Sequence, residues 1–293
     1  GEGQRNFKEI AMKIKRELRS RGISSRWIVS REKNLSSVVV DKNKLVESGS
    51  DFVIVEEKNK KFLGKTVAVQ NFEELSLRDY GRPARDSYSG MIPPKLAQMM
   101  LNIGLQGRTD QVLLDPFCGS GTMLMEASLM GVKKIIGTDL SEKAVHDSQV
   151  NLRWLKKEFQ TSQVRNVELK QIDARKISNF LNKKSVDLIV TEPYLGPQRK
   201  IDDIEKVKKS LEKLYQECLI RFSEILNDRG RIVMIWPVLR KAKDQFMKIN
   251  LKDFEIVNYL PENLNLPISH RNTLVYGRKD QKVWREIVVL EKK

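Results

Sequence analysis

Asp115, Asp139, Asp173 and Glu192 each follow an apolar run, and an acid at the end of a buried strand can hold a ligand's hydroxyl or amine. The first opens DPFCGSGT, in which Gly119 and Gly121 let the backbone pass close to a ligand because no Cβ blocks the approach. A helix beginning there would aim its unpaired N–H groups at whatever the loop holds, which suits a carboxylate or phosphate. Asp139, in GTDLSEKA, comes roughly 20 residues past the glycines, where an acid can accept from ribose hydroxyls. Asp173 lies in KQIDARK, and TEPYLGP carries Glu192, Pro193 and Tyr194. Each has a plainer explanation when taken singly: Asp139 as a helix-start carboxylate, Asp173 as the acid of an Asx-turn. Three acids and a glycine loop at successive strand ends together indicate a nucleoside-containing cofactor across a sheet edge. The loop is neither GxGxxG, because Leu124 stands at the third glycine, nor a Walker loop, because GK[ST] is missing.

Such placement needs a parallel sheet. Strands are expected at 111–115, 134–139, 166–171, 186–191 and 230–236, with helical patterns at 122–130, 141–159, 203–227 and 239–249. Upstream, PPKLAQMMLNIG opens a helix at the Pro93–Pro94 pair, puts Leu96, Met99, Met100 and Ile103 on one face, and stops at Gly104. Strand and helix alternate, so the sheet is mostly parallel with ligands at the carboxyl ends of its strands. FEIVNYL, TLVYGR and WREIVVLEK follow with no helix between them and must join the edge as antiparallel strands. Residues 7–21 form a cationic amphipathic helix with Phe7, Ile10, Ile14 and Leu18 near one face, ended at Gly22. SSVVV, DFVIVE and KFLGKTVAVQNF read as strands. The region 76–92, rich in Gly, Arg and Asp, reads as a linker whose Arg78, Arg82 and Arg85 either grip phosphates or a neighbouring carboxylate, or are solvated.

The net charge of +16 over 293 residues suits a polyanionic partner, and an acidic membrane surface fits the charge equally well. It divides into +5 for residues 1–75 and +11 for the rest, so no single basic arm carries it. No stretch approaches a spanning helix and the N-terminus is not a signal peptide, so a cytoplasmic protein is expected. Cys118 and Cys218 are expected as free thiols. His146 and His270 are too sparse for a cluster, and no metal is expected.

With GMIPPKLAQMM upstream and a proline–aromatic motif after the fourth strand, DPFCGSGT resembles the S-adenosylmethionine-dependent amino methyltransferases. The match is close to the branch that methylates the N2 amine of guanine in tRNA, where a THUMP domain precedes the catalytic domain. GKTVAVQNFEELSLRDYGRPARD looks like the junction of the two. The resemblance implies a Rossmann-like class I α/β fold of seven strands over 93–293, a linker at 76–92, and a partial THUMP-like RNA-binding region at 1–75. It implies S-adenosylmethionine as cofactor and tRNA as partner. The methionine end would lie on Asp115, Gly119 and Gly121, with Phe117 and Thr122 in the same loop and Pro94 closing one side. Asp139, with Leu140, would take the ribose, and Asp173, with Ala174, the adenine amine. Glu192 and Pro193 would hold the target amine, and Tyr194 would stack on its base, with Arg199 and Lys200 near flanking phosphates. Family members read DPPY here, whereas this chain offers Glu192 in place of Asp and Tyr194 one place early. Methylation of an amine on rRNA guanine or on DNA adenine or cytosine is the alternative within the class. RNA binding without transfer is the alternative outside it.

Overall fold

The computed structural model describes residues 2–30, 34–57, 60–86, 90–161, 163–197, 203–241, 243–261 and 266–293. The chain divides into two compact units, Gly1–Ser76 and Leu77–Lys293.

In the first unit, helix α1 (Glu2–Ser20) ends at Arg21 and Gly22, the glycine at φ 76°. On its expected apolar face Ile10 and Ile14 are exposed and Leu18 is half-buried, while Ala11 is buried. SSVVV is not a strand. Ser36 takes the amide of Val39 on its side chain and starts helix α2 (Ser37–Lys42), so a cap outweighs the β preference of three valines. Strands β1 (Phe52–Glu57) and β2 (Lys60–Lys65) pair antiparallel and are exposed on both faces. The second is shorter than the alternation in KFLGKTVAVQNF suggests. Thr66 closes the ladder on Asp51 through its amide and its hydroxyl, and Val67 beyond it is free of the sheet. Helix α3 (Phe72–Ser76) ends the unit.

The second unit holds the core. Its strands are β3 (Val112–Asp115), β4 (Lys134–Asp139), β5 (Val167–Gln171), β6 (Val186–Thr191), β7 (Leu226–Leu239), β8 (Phe254–Ile256), β9 (Leu274–Tyr276) and β10 (Val283–Lys292). They lie in the order β5-β4-β3-β6-β7-β10-β8, parallel through β7 and antiparallel at β10. The outermost position is shared: β8 pairs with Leu290–Lys292 and β9 with Arg285–Ile287 of the same strand. Eight strands therefore fill seven positions.

Helix α4 (Pro94–Leu105) lies against β6 and β7, while α5 (Thr122–Leu129) and α6 (Glu142–Glu158) lie over β4. Helix α4 runs through Gly104 and ends when Gln106 turns left-handed at φ 50°. Leu124, where a dinucleotide loop would have its third glycine, reaches β4 instead at Gly137, whose absent Cβ would stand 2.5 Å from the leucine. Helix α7 (Ile204–Ile225) buries Leu211, Tyr215, Cys218, Leu219, Phe222 and Ile225, one face at helical spacing. The helix expected at 239–249 is absent: Leu239 and Gln245 exchange backbone hydrogen bonds, which folds the segment back on β7. Nor do the described residues of 76–92 form an open linker. A π-helical turn (Leu77–Gly81) carries Arg78 inward, and Arg82 is buried after it. Among the described residues, no helix is long and apolar enough to cross a membrane.

Candidate active site

The sheet reverses its winding at β3, with β4 and β5 on one side and β6 and β7 on the other. Loops leaving the ends of two such strands part and open a crevice. Asp115 ends β3 and Thr191 ends β6, so both fall at that point, and the hydroxyl of Thr191 donates to Asp115 Oδ1 at 2.7 Å. The amide of Phe117 donates to the same oxygen at 3.2 Å. Burial pushes Asp115 up to about 7 against those two hydrogen bonds, and the charges of Asp139 and Glu192 add to the rise.

The glycine loop is pinned from several sides. The amide of Cys118 donates to the carbonyl of Thr138 on β4, and the amide of Gly119 donates to Asp139 Oδ2 at 3.0 Å. Asp139 Oδ1 accepts from the amide of Ser141, the cap of α6. Gly119 and Gly121 adopt φ 52° and 85°. A Cβ on Gly121 would lie 2.9 Å from Ser148 Oγ, whereas one on Gly119 would meet nothing within 4 Å. The second glycine thus packs on α6 and the first faces an open cradle. Ser148 Oγ donates to the carbonyl of Gly119 at 2.7 Å. Cys118 and Cys218 are free and buried.

The segment before α4 fastens to this loop from behind. Arg78 Nε donates to Glu126 Oε1 at 2.7 Å, and Gln98 donates to the other oxygen at 2.7 Å. Arg82 Nη1 donates to the hydroxyl of Thr122 at 2.5 Å. Asn151 on α6 accepts from the amide of Ala84 and donates to the carbonyls of Ala84 and Ser120. Arg78 and Arg82 are therefore interior groups that meet a carboxylate and a hydroxyl, not phosphates at a surface. Arg85 is exposed and lies over the ring of Tyr80 at 5.2 Å.

The remaining candidates fall as follows. Pro94 is buried at the first turn of α4, Phe117 is half-buried, Leu140 is exposed and Ala174 is buried. Asp173 caps a short 3-10 helix (Ala174–Asn179), and its carboxylate is held by the amide and guanidinium of Arg175, which lowers its pKa. Arg199 and Lys200 lie outside the described residues.

Glu192 is the first residue past β6, and its Oε1 accepts from Arg285 Nε at 2.5 Å. Pro193 is buried and Tyr194 is exposed, with its carbonyl fixed by the hydroxyl of Tyr215 at 2.8 Å. Asp115 and Asp139 thus form an acidic pair at the crevice, suited to a cationic ligand, with the Glu192–Arg285 ion pair beside them.

Thr191, Ser148, Asn151, Tyr215 and Arg285 were not foreseen from sequence. Ser148 and Asn151 were findable: with Leu152 and Leu155 they sit at i, i+3, i+4 and i+7, polar groups on the buried face of a helix. Arg285 gave no signal, since only strand pairing brings it to a residue 93 positions away.

Residues 82–261 match the UPF0020 family, described as RMKL-like, methyltransferase domain, and residues 5–150 match one described as DNA methylase. A tRNA (guanine(10)-N2)-dimethyltransferase of Methanocaldococcus jannaschii is 32% identical over 184 residues, which cover 60% of this chain and 47% of that protein. Its namesake in Methanothermobacter thermautotrophicus is 37% identical over 150 residues, 51% of this chain and 40% of that protein. The chain thus spans less than half the length of these relatives. The crystal structure of PH0851 shares the fold, with a TM-score of 0.52 at 16% identity over 89% of this chain and 57% of that one. The fold is that of a class I methyltransferase, and the chain belongs to the UPF0020 family of RMKL-like methyltransferase domains.

Proposed function

We propose that this chain serves the transfer of a methyl group from S-adenosylmethionine to the exocyclic N2 amine of a guanosine in tRNA, with position 10 as the family expectation. The observation that carries the reading is the crevice between β3 and β6, which sets a glycine cradle and two acids beside Glu192, Pro193 and Tyr194. The residues fit the cofactor: the space in front of Gly119 is open, and the carboxylates of Asp115 and Asp139 suit a molecule bearing a sulfonium and an ammonium.

When bound, the cofactor supplies an electrophilic methyl group. Asp115, Gly119, Gly121, Thr122 and Pro94 shape the methionine end, with Phe117 alongside. Asp139 and Leu140 meet the ribose, and Asp173 and Ala174 the adenine. Glu192 accepts a hydrogen bond from the target amine, aligns its lone pair, and takes the proton that the amine sheds on methylation. Tyr194 offers an exposed ring on which an unpaired base can stack, a contact worth ~1–3 kcal/mol. Residues 1–75 act as a partial THUMP-like RNA-binding region and 93–293 as the catalytic domain, with 76–92 as a connection whose arginines pack on that domain, in a cytoplasmic setting.

The test is transfer of labelled methyl from S-adenosylmethionine to tRNA transcripts, rRNA fragments or DNA. Label is expected in tRNA and is expected to vanish when inosine, which lacks the N2 amine, replaces the target guanosine. Transfer that survives inosine, or that favours DNA, would overturn the assignment. Cofactor binding with no transfer to any substrate would leave an RNA-binding protein.

A further inference from the structure

We infer that the Glu192–Arg285 pair reads the Watson–Crick edge of the target base and restricts transfer to guanine, an inference that rests on the methyl-transfer reading above. Arg285 stands on β10, opposite Pro237 of β7, and reaches the end of β6 from two strands away. Only its Nε is used: Oε1 of Glu192 accepts that one bond, and among the described residues nothing is hydrogen-bonded to Oε2 or to the two terminal nitrogens of Arg285. The pair is largely enclosed, with side-chain exposures of 12% and 13%. It therefore presents, side by side, a carboxylate acceptor and a guanidinium fork with donors to spare.

Guanine carries the complementary sequence along its edge: the N2 amine and N1–H donate, and O6 accepts. The carboxylate can take both donors while the guanidinium supplies O6. Adenine and cytosine offer one amine followed by a ring-nitrogen acceptor, which would face the carboxylate with no proton between them. A site built on paired hydrogen bonds rejects such an analogue far more strongly than an apolar pocket does, because its own polar groups are left unmatched. The pairing also gives a reason for Glu where related motifs have Asp. Removing one methylene withdraws the carboxylate by about 1.5 Å, a C–C bond length, and separates it from a guanidinium anchored on another strand.

The experiment uses the full chain, labelled S-adenosylmethionine and tRNA carrying either guanosine or 2-aminopurine at the target position. 2-Aminopurine keeps the N2 amine but lacks O6 and N1–H. Wild-type kcat/KM is expected to be at least ~100-fold lower on 2-aminopurine. Arg285→Met should lower transfer to guanosine by about 100-fold and change transfer to 2-aminopurine by less than about threefold, with cofactor affinity unchanged. If that variant fails to bind cofactor, Arg285→Lys takes its place, with a loss of about tenfold on guanosine alone. Equal use of both bases by the wild type, or equal losses on both in the variants, would overturn the inference while the methyl-transfer reading stands. No transfer to guanosine by the wild type would overturn that reading, and this inference with it.

Discussion

Arg78–Glu126 and Arg285–Glu192 are ion pairs of the same chemistry at different depths in one unit. The first is sealed, with side-chain exposures of 5% and 0%, and Gln98 joins Arg78 so that both oxygens of Glu126 are occupied. Burial still raises the pKa of Glu126, against the pull of Arg78 and Gln98. The second lies at the crevice and leaves an acceptor and several donors unused among the described residues. A pair whose carboxylate is fully occupied inside the protein fixes the fold; one whose carboxylate keeps an unused oxygen at an opening is available to a ligand.

The largest effect should come from breaking the sealed pair. Arg78→Met strands a buried carboxylate and is expected to cost ~3–5 kcal/mol, read by urea unfolding through the fluorescence of Trp154 and Trp236. Unchanged stability would erase the distinction between the two pairs. Glu192→Gln should do the reverse. Methyl transfer is expected to fall ~100-fold, equivalent to ~2.7 kcal/mol, while the unfolding free energy moves by less than ~1 kcal/mol and cofactor affinity stays within about threefold. A stability loss as large as that of Arg78→Met would make Glu192 a structural group.

Asp115 sharpens the contrast by pH. Its pKa rises from 3.8 in the open chain to about 7 in the fold, so its contribution to stability is complete below the lower value and is lost as pH climbs to the upper one. A cationic ligand favours the ionised form. Affinity for S-adenosylmethionine, measured by calorimetry, is therefore expected to rise by up to ~10-fold per pH unit below 7 and to level off above it. Asp115→Asn should abolish that slope and stabilise the free protein at pH 8; a slope that persists would place the titrating group elsewhere. The smallest effect is that of Tyr215→Phe, which removes one hydrogen bond to the carbonyl of Tyr194. It is expected to cost ~1 kcal/mol, about 2–4 °C in thermal midpoint, and a larger drop would mean that the hydroxyl anchors more than this one loop.

The glycine loop and the strand-end acids were legible because their chemistry is local: an acid, two glycines and a helix start follow one another within a few residues. The parallel strands were legible for the same reason, as short apolar runs between helical patterns. Four features were not. Ser36 overrode three valines by a single cap. Residues 239–249 carry helical spacing but close on β7 through a backbone pair that depends on strand placement. The run of charges leaves Arg78 and Arg82 open to a phosphate, a neighbouring carboxylate or solvent, and only the packing of α4, α5 and α6 decides between them. The partner of Glu192 belongs with these, since no spacing rule links a loop after β6 to the middle of β10.

Asn151 holds Ala84 and Ser120 with a single side chain, so the residues before α4 and the glycine loop share one fastening. A polypeptide trimmed to begin at Pro93 would retain every strand of the large sheet and still lose the cation that neutralises Glu126. The boundary of the folding unit therefore lies at the arginines, upstream of the prolines where periodic structure resumes, and shortening the chain past Leu77 would be felt first in the loop that receives the ligand.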